Sequence, residues 1–375
     1  MRLPSKAGLL KAFDASFGWS ACKLLGRIRH AAGLPGLSPT PQSSDLRRIL
    51  VIRPGGMGDM LMLLPAIKAA AALHPRLEID IVCEKRNRDV LKLAGLEKHA
   101  LLYDARPLAL LRRLRTMRYD AAIDTEQFHN SSAVLALLSG APVRVGFRIN
   151  PARLHLYTHL VDYEVDGYEA DQFLRLFTAA GIRISAPPRH GSLAGISLPD
   201  DPGPVLRPPS GRPLIALGPG AADSYKQWGA GNFAKLARRL LEGGYAPVLV
   251  GGRTDRRSSR LIVSLLGNPD TISDATGVVS LARTAAILKR CELFIGCDSG
   301  LAHLAAALGT RTVVIFGPSD ARKWAAPDER HAVIRRGLPC TPCAIFGYRK
   351  WCRAVPCMRT VGVEEVHSAA KALLA

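Results

Sequence analysis

The sequence predicts an α/β protein made of two Rossmann-like domains, and three observations carry that expectation. Residues 48–66, RILVIRPGGMGDMLMLLPA, pass from a short apolar strand through a Pro-Gly-Gly break into an apolar helix former. The same order recurs at Leu214–Trp228, where LIAL leads into GPGAADSYKQW. Between the two, residues 182–212 carry seven prolines (Pro187, Pro188, Pro199, Pro202, Pro204, Pro208 and Pro209), a composition suited to a crossing between domains. Two such domains suit a ligand cleft at the carboxyl ends of their strands.

Length and charge narrow the partners. The chain has 375 residues and 48% apolar content, enough for two cores. Its 51 basic and 31 acidic residues give a formal charge of +20, which favours an anionic partner. Aromatic content is 6% and no nucleic-acid-binding pattern appears, so a phosphorylated ligand is favoured over nucleic acid. No stretch reaches the roughly 18–20 apolar residues that span a bilayer. Lys11 and Asp14 interrupt the first apolar region, which does not read as a signal peptide, and the expected location is the cytoplasm.

In chain order, residues 1–46 form an extension and linker. Leu9, Leu10, Phe13, Phe17, Cys22 and Leu25 recur at helical spacing beside Lys6, Lys11, Lys23, Arg27 and Arg29. That segment reads equally as an interfacial helix on an anionic membrane or as an extra helix packed on the first domain. Residues 47–182 form the first domain, with strands expected at Ile49–Ile52, Ile79–Cys83, Ala100–Tyr103, Tyr119–Asp124 and Val143–Phe147. Helices are expected at Met60–Ala71, Leu108–Met117, Gln127–Leu138 and Glu164–Ala180. Residues 183–212 are the linker and 213–375 the second domain. Its strands fall at Leu214–Leu217, Ala246–Val250, Leu293–Ile295 and Thr312–Phe316. Its helices fall at Asn232–Glu242, Ser258–Leu266, Leu281–Lys289 and Val363–Leu374.

Each strand-to-helix turn carries candidate chemistry. Gly58-Asp59 opens the first long helix, where an acidic side chain or a ligand phosphate is stabilised. Lys226 stands in the Gly-rich loop after residue 217, as a phosphate ligand or as an exposed Lys beside a packed Trp228. Cys297-Asp298-Ser299-Gly300-Leu301-Ala302-His303 places amides at a helix start, where they suit a diphosphate. Asp298 caps that helix on the plainer reading, and His303 is a core histidine.

Taken jointly, RILVIRPGGMGDMLMLLPAIKA, GPGAADSYKQW, LFIGCDSGLAHLAAALGTRTVVIFGPSD and the run CTPC…C…CM resemble glycosyltransferase family 9, the lipopolysaccharide heptosyltransferase family. The likeness spans about residues 47–375. It implies the GT-B arrangement, an ADP-heptose donor substrate and an inverting transfer without a catalytic metal. It also implies an anionic lipid-linked saccharide acceptor and work on the inner face of the inner membrane, with peripheral contact. Asp59 resembles the family's general base. Lys226 resembles its donor-phosphate lysine. Asp298, Ser299 and Gly300 resemble its Asp-Thr-Gly donor turn, followed by His303. Asp124–His129, DTEQFH, departs from the family's usual Asp-Leu-Gln-Gly and suits a different acceptor contact. Glu126 and His129, with Gly58, are the acceptor-side candidates there, or residues that cap and pack the loop.

Cys340-x2-Cys343-x8-Cys352-x4-Cys357 offers four soft ligands for a structural zinc or iron, or four free thiols. Cys22, Cys83, Cys291 and Cys297 lie in apolar contexts and read as buried thiols. The leading reading is heptose transfer to a lipopolysaccharide core or related lipid-linked saccharide. Two alternatives accompany it: protein O-heptosylation, and a noncatalytic nucleotide-sugar-binding protein.

Overall fold

The computed structural model describes residues 14–31, 46–105, 107–184, 192–193, 195–200, 211–268, 271–345, 348–349 and 352–375. The linker expected before residue 46, and most of the Pro-rich crossing, lie outside the described residues. The chain divides into two compact units, Met1–Pro187 and Pro188–Ala375.

In the first unit, a π-helical turn at Asp14–Gly18 leads into α1 (Trp19–Ala31). Then β1 (Arg48–Ile52), α2 (Met57–Leu73), β2 (Glu78–Cys83), α3 (Lys85–Leu93), β3 (Ala100–Leu102) and α4 (Pro107–Thr116) alternate. They are followed by β4 (Ala121–Asp124), α5 (Asn130–Leu138), β5 (Val143–Arg148), β6 (His159–Asp162) and α6 (Glu169–Ala179). The sheet order is β3-β2-β1-β4-β5-β6, parallel throughout. Apolar alternation divides its faces: Leu50, Ile52, Val82 and Ala122 share one core with Cys22, Leu110, Leu114, Ala133 and Ala136. Helices α1, α4 and α5 therefore cover the same face. Register sets the site, because Ile52 pairs with both Val82 and Asp124. The residues just past those strand ends consequently meet at one carboxyl edge.

Helix α5 begins at Asn130, three residues later than expected from Gln127. Its start is set by a residue remote in sequence. The Asp14 carboxylate accepts the backbone N–H groups of Asn130 at 2.8 Å and Ser131 at 2.7 Å, satisfying amides that have no partner inside the helix. This cap, with fully buried Cys22, makes the described part of the N-terminal extension an integral layer of the first unit. Helix α3, KRNRDVLKL, was not expected, since only Asn87, Val90 and Leu91 of it are buried and its apolar period is thin.

The second unit repeats the plan. Its elements are β7 (Leu214–Gly218), α7 (Ala230–Glu242), β8 (Ala246–Leu249), α8 (Arg256–Leu266), β9 (Ser273–Asp274) and α9 (Leu281–Arg290). After them come β10 (Leu293–Cys297), α10 (Gly300–Ala307), β11 (Arg311–Phe316), α11 (Ala321–Trp324) and β12 (His331–Arg335). A short hairpin of β13 (Ala344–Ile345) and β14 (Tyr348–Arg349) precedes α12 (Pro356–Arg359) and α13 (Val363–Leu374). The parallel sheet has the order β12-β11-β10-β7-β8-β9. The last helix docks on the core through Val366 and Ala370. Strands β6, β9 and β12 escaped the sequence reading because edge strands of two to five residues with mixed polarity carry little periodic signal. No described helix is long and apolar enough to cross a membrane.

Candidate active site

In the first unit a cluster of charged residues is built at the carboxyl edge of β1 and β4. Arg53, the first residue past β1, is 3% exposed and held on every side. Its amide donates to Val82 O at 2.9 Å, and its carbonyl accepts from Asn87 Nδ2 at 3.0 Å. Nη1 donates to Thr125 O at 2.7 Å, and the guanidinium carbon sits 5.1 Å from the centre of the Phe173 ring. So fixed, Arg53 Nη2 reaches Asp59 Oδ1 at 2.6 Å. Asp59 is the third residue of α2, and its Oδ2 accepts the Gly56 N–H at 3.0 Å, closing the helix start. Both carboxylate oxygens of Asp59 thus hold a donor, one from Arg53 and one from the Gly56 backbone.

Two more carboxyls complete the cluster. Glu126 Oε1 lies 3.7 Å from Arg53 Nη1. Glu169 accepts from Gln127 Nε2 and from Tyr163 Oη, the latter at 2.5 Å. Arg53, Gln127, Tyr163 and Glu169 were missed by sequence reasoning. An arginine directly after an apolar strand was the available signal. The space beside Gly55 is where the groups converge. With φ at +155°, this position favours glycine, and a methyl carbon built there would lie 3.3 Å from Glu126 Oε1 and 3.5 Å from Asp59 Oδ2. The same point lies 3.7 Å from Arg53 Nε, a buried donor with no hydrogen-bond partner among the described residues. Of the other acceptor-side candidates, Gly58 is in the first turn of α2, next to Asp59. His129 stands elsewhere, with Nδ1 3.8 Å from the Asp14 carboxylate at the start of α5.

Burial pushes both Glu126 and Glu169 up to about 8, with Asp59 adding to the effect against the pull of Arg53. The folded state thus holds protons that an unfolded chain releases near pH ~4.3. The stabilisation is full below that value and is lost as pH rises through about 8. Glu126→Gln removes one of the two titrations. The thermal midpoint of this variant is expected to fall less than the wild type's as the pH is raised through that window. Parallel wild-type and variant curves would contradict a proton on Glu126.

In the second unit a separate cluster is assembled by Trp228. Its ring is 3% exposed, edge-on to Phe233 at 5.1 Å, and Nε1 donates to Val361 O at 2.9 Å. Its amide donates to Cys297 Sγ at 3.4 Å, which ties the loop after β7 to the end of β10. The packed tryptophan and the polar lysine are therefore one device: anchoring Trp228 brings Lys226 Nζ to Asp298 Oδ2 at 2.7 Å. Burial opposes charge on Asp298, but the Lys226 ammonium and His303 outweigh it and hold the carboxyl below its ordinary range. Ser299 is the N-cap residue of α10, and Gly300 begins the helix. Ser299 Oγ is buried without a hydrogen-bond partner among the described residues. The ring of His303 stands edge-on to Trp324, with centroids 6.4 Å apart. Asp298, His303, Phe316, Trp324 and His331 line part of a pocket beside this turn. The lysine, aspartate, serine, glycine and histidine named from sequence thus share one strand-to-helix corner.

The cysteines separate into two classes. Cys22, Cys83, Cys291 and Cys297 are buried, and burial pushes their thiols up, to about 12 for the last three. They are neutral packing groups. In the other class, Cys340 is exposed, Cys343 and Cys352 are half-buried and Cys357 is buried. Among the described residues no group of three or more His, Cys, Asp or Glu is arranged to hold a metal ion. Cys357 is raised first by burial and then by the charges of Cys343, Cys340 and Cys352.

The family model for glycosyltransferase family 9 (heptosyltransferase) matches residues 107–348. Lipopolysaccharide heptosyltransferase 2 of Escherichia coli K12 is 27% identical over 303 residues, covering 72% of this chain and 83% of that protein. Among solved structures, the ADP-heptose lipopolysaccharide heptosyltransferase II of E. coli superposes with a TM-score of 0.68 at 24% identity, covering 87% of this chain and 98% of that one. A family 9 glycosyltransferase from Veillonella parvula gives 0.71 at 20% identity, with 89% and 99% covered. These structural likenesses concern the fold, which is GT-B. The chain belongs to glycosyltransferase family 9, the heptosyltransferase family.

Proposed function

We propose that this glycosyltransferase transfers heptose from ADP-heptose to a lipopolysaccharide core or related lipid-linked saccharide, by a single displacement that inverts the anomeric carbon. The observation that supports this most is the convergence beside Gly55. An acceptor hydroxyl placed there meets Asp59 Oδ2, Glu126 Oε1 and the unused Arg53 Nε–H. Asp59 takes the hydroxyl proton as the oxygen bonds to the anomeric carbon. The bond from that carbon to the diphosphate breaks, and its electron pair leaves on ADP. Lys226 uses one N–H on Asp298 and has two left for the diphosphate, where charge builds as ADP departs. The N–H groups at the start of α10 and Ser299 Oγ bind the same phosphates. The relatives' names supply the donor and acceptor classes.

The test is transfer, or donor hydrolysis, with ADP-heptose beside UDP- and GDP-sugars. Consumption of ADP-heptose alone is expected. Failure to bind any nucleotide sugar would sink the reading.

The domains are proposed to divide as an extension through residue 46, an acceptor-side domain of residues 47–182, a linker of 183–212 and a donor-binding domain of 213–375. The four clustered cysteines are proposed to close on a structural zinc or iron. Four thiolates fit a soft tetrahedral ion, and Cys352 Sγ already accepts the Val355 N–H at 3.4 Å. Such an ion supplies stability and no step of the transfer. Elemental analysis of gently purified protein is expected to find about one metal per chain, and metal-free protein with unchanged stability would refute the assignment.

A further inference from the structure

We infer that the outer surface of the α1–α5–α4 layer is a docking face for an anionic lipid bilayer. Helix α5 packs against both α1 and α4, and all three cover one side of the first sheet. Their inward residues are spent on the core. Their outward residues are neither ordinary nor evenly charged. On α1, Leu24 is 60% and Ile28 54% exposed, one helical turn apart. Trp19 is 43% exposed, and Lys23 Nζ lies 3.9 Å over its ring. Arg27 stands one turn further on, also exposed. On α4, Leu108 is 74% exposed and Arg112, Arg113 and Arg115 point to solvent.

The charge pattern selects the partner. The three helices, WSACKLLGRIRHA, PLALLRRLRT and NSSAVLALL, contain no aspartate or glutamate. Asp14, at the head of α1, is buried and occupied in capping α5. A protein partner of ordinary composition needs no such one-sided surface. A bilayer with anionic headgroups does, because it attracts lysine and arginine at its surface while large apolar side chains enter below them. Tryptophan beside lysine is suited to the headgroup level, with an apolar ring and a polar edge. Two short helices that both pack on α5 supply what either alone lacks, since binding grows with buried apolar area and with the number of basic residues. The face goes beyond the transfer reaction and needs neither donor nor acceptor.

The experiment is co-sedimentation of the full chain with vesicles of phosphatidylcholine, with and without phosphatidylglycerol. Binding is expected only to the anionic vesicles and is expected to weaken in high salt. Arg112→Glu/Arg113→Glu should lower the partition coefficient by about fivefold or more for each residue changed. Leu24→Ser/Ile28→Ser should lower it without changing its salt dependence. Arg257→Glu/Arg260→Glu, on an exposed helix of the second unit, removes the same charge and should have little effect. Circular dichroism melts confirm that the variants fold. The inference is overturned by absence of binding to anionic vesicles at low salt, as when another part of the chain covers the face. It is equally overturned by equal losses from the second-unit variant, or by binding of single-stranded RNA in place of vesicles. Because the assay reads no sugar transfer, its failure leaves the proposed reaction standing, and failure of the reaction leaves the face standing.

Discussion

Asp59→Asn is expected to lower kcat for heptose transfer by about 10²–10⁴-fold, the usual share of a positioned general base. The amide keeps the size of the carboxylate, and its oxygen can still accept the Gly56 N–H that closes the start of α2. What it cannot do is take a proton from the acceptor hydroxyl. The KM for the donor should stay near the wild-type value, because Asp59 belongs to the first unit and the proposed phosphate ligands to the second. A thermal melt is needed beside the kinetics, since the substitution also removes the charge paired with Arg53. Loss of kcat in a protein that remains folded supports proton abstraction. Full transfer activity in the variant would remove Asp59 from the mechanism and leave Glu126 as the neighbouring candidate.

Lys226→Met should be almost as damaging, through a different quantity. Donor kcat/KM is expected to fall about 10²–10³-fold, the range for losing one preorganised electrostatic contact to a charge that builds in the transition state. Stability should fall as well, because Asp298 is 7% exposed and loses its counter-charge. Removing one partner of a buried pair costs about 3–5 kcal/mol. The partial exposure of Lys226, 22%, places the expected loss at the low end. The double variant Lys226→Met/Asp298→Asn separates the two effects. With no charge left buried, much of the stability should return while activity remains low. Recovery of both would show the lysine to be structural, holding Asp298 and nothing else.

The two clusters were legible in different degrees. The corner of Lys226, Asp298, Ser299, Gly300 and His303, proposed to bind the donor, could be read almost whole, because each of its residues lies in a Gly-containing run that follows an apolar strand. Such runs fall at the carboxyl edge of a parallel sheet, and helix starts there present free amides. Of the cluster around Arg53, proposed to meet the acceptor, the sequence was read only at Gly58, Asp59 and Glu126. Arg53 looked like one of many basic residues in a chain of charge +20. Its burial follows from register and from Phe173 and Asn87, which belong to other elements. Glu169 was assigned to a helix and given no chemistry; it joins the cluster through Gln127 and Tyr163. His129 is directed to Asp14 by a contact across more than a hundred residues of chain.

The sequence by itself determined the α/β class, the repeated strand-to-turn-to-helix unit, the family and the turns that carry Asp59, Lys226 and Asp298. These are local properties: hydrophobic period, glycine at tight turns and short motifs of fixed spacing. Only the tertiary structure decided which charges are buried together, that Asp14 caps α5, and that Trp228 draws Lys226 onto Asp298. It also decided that α1 and α4 expose their apolar and basic residues on one face. Those outcomes depend on strand register and on helix packing across long separations, where a change of one position alters which side chains meet. No local pattern of residues encodes such a meeting.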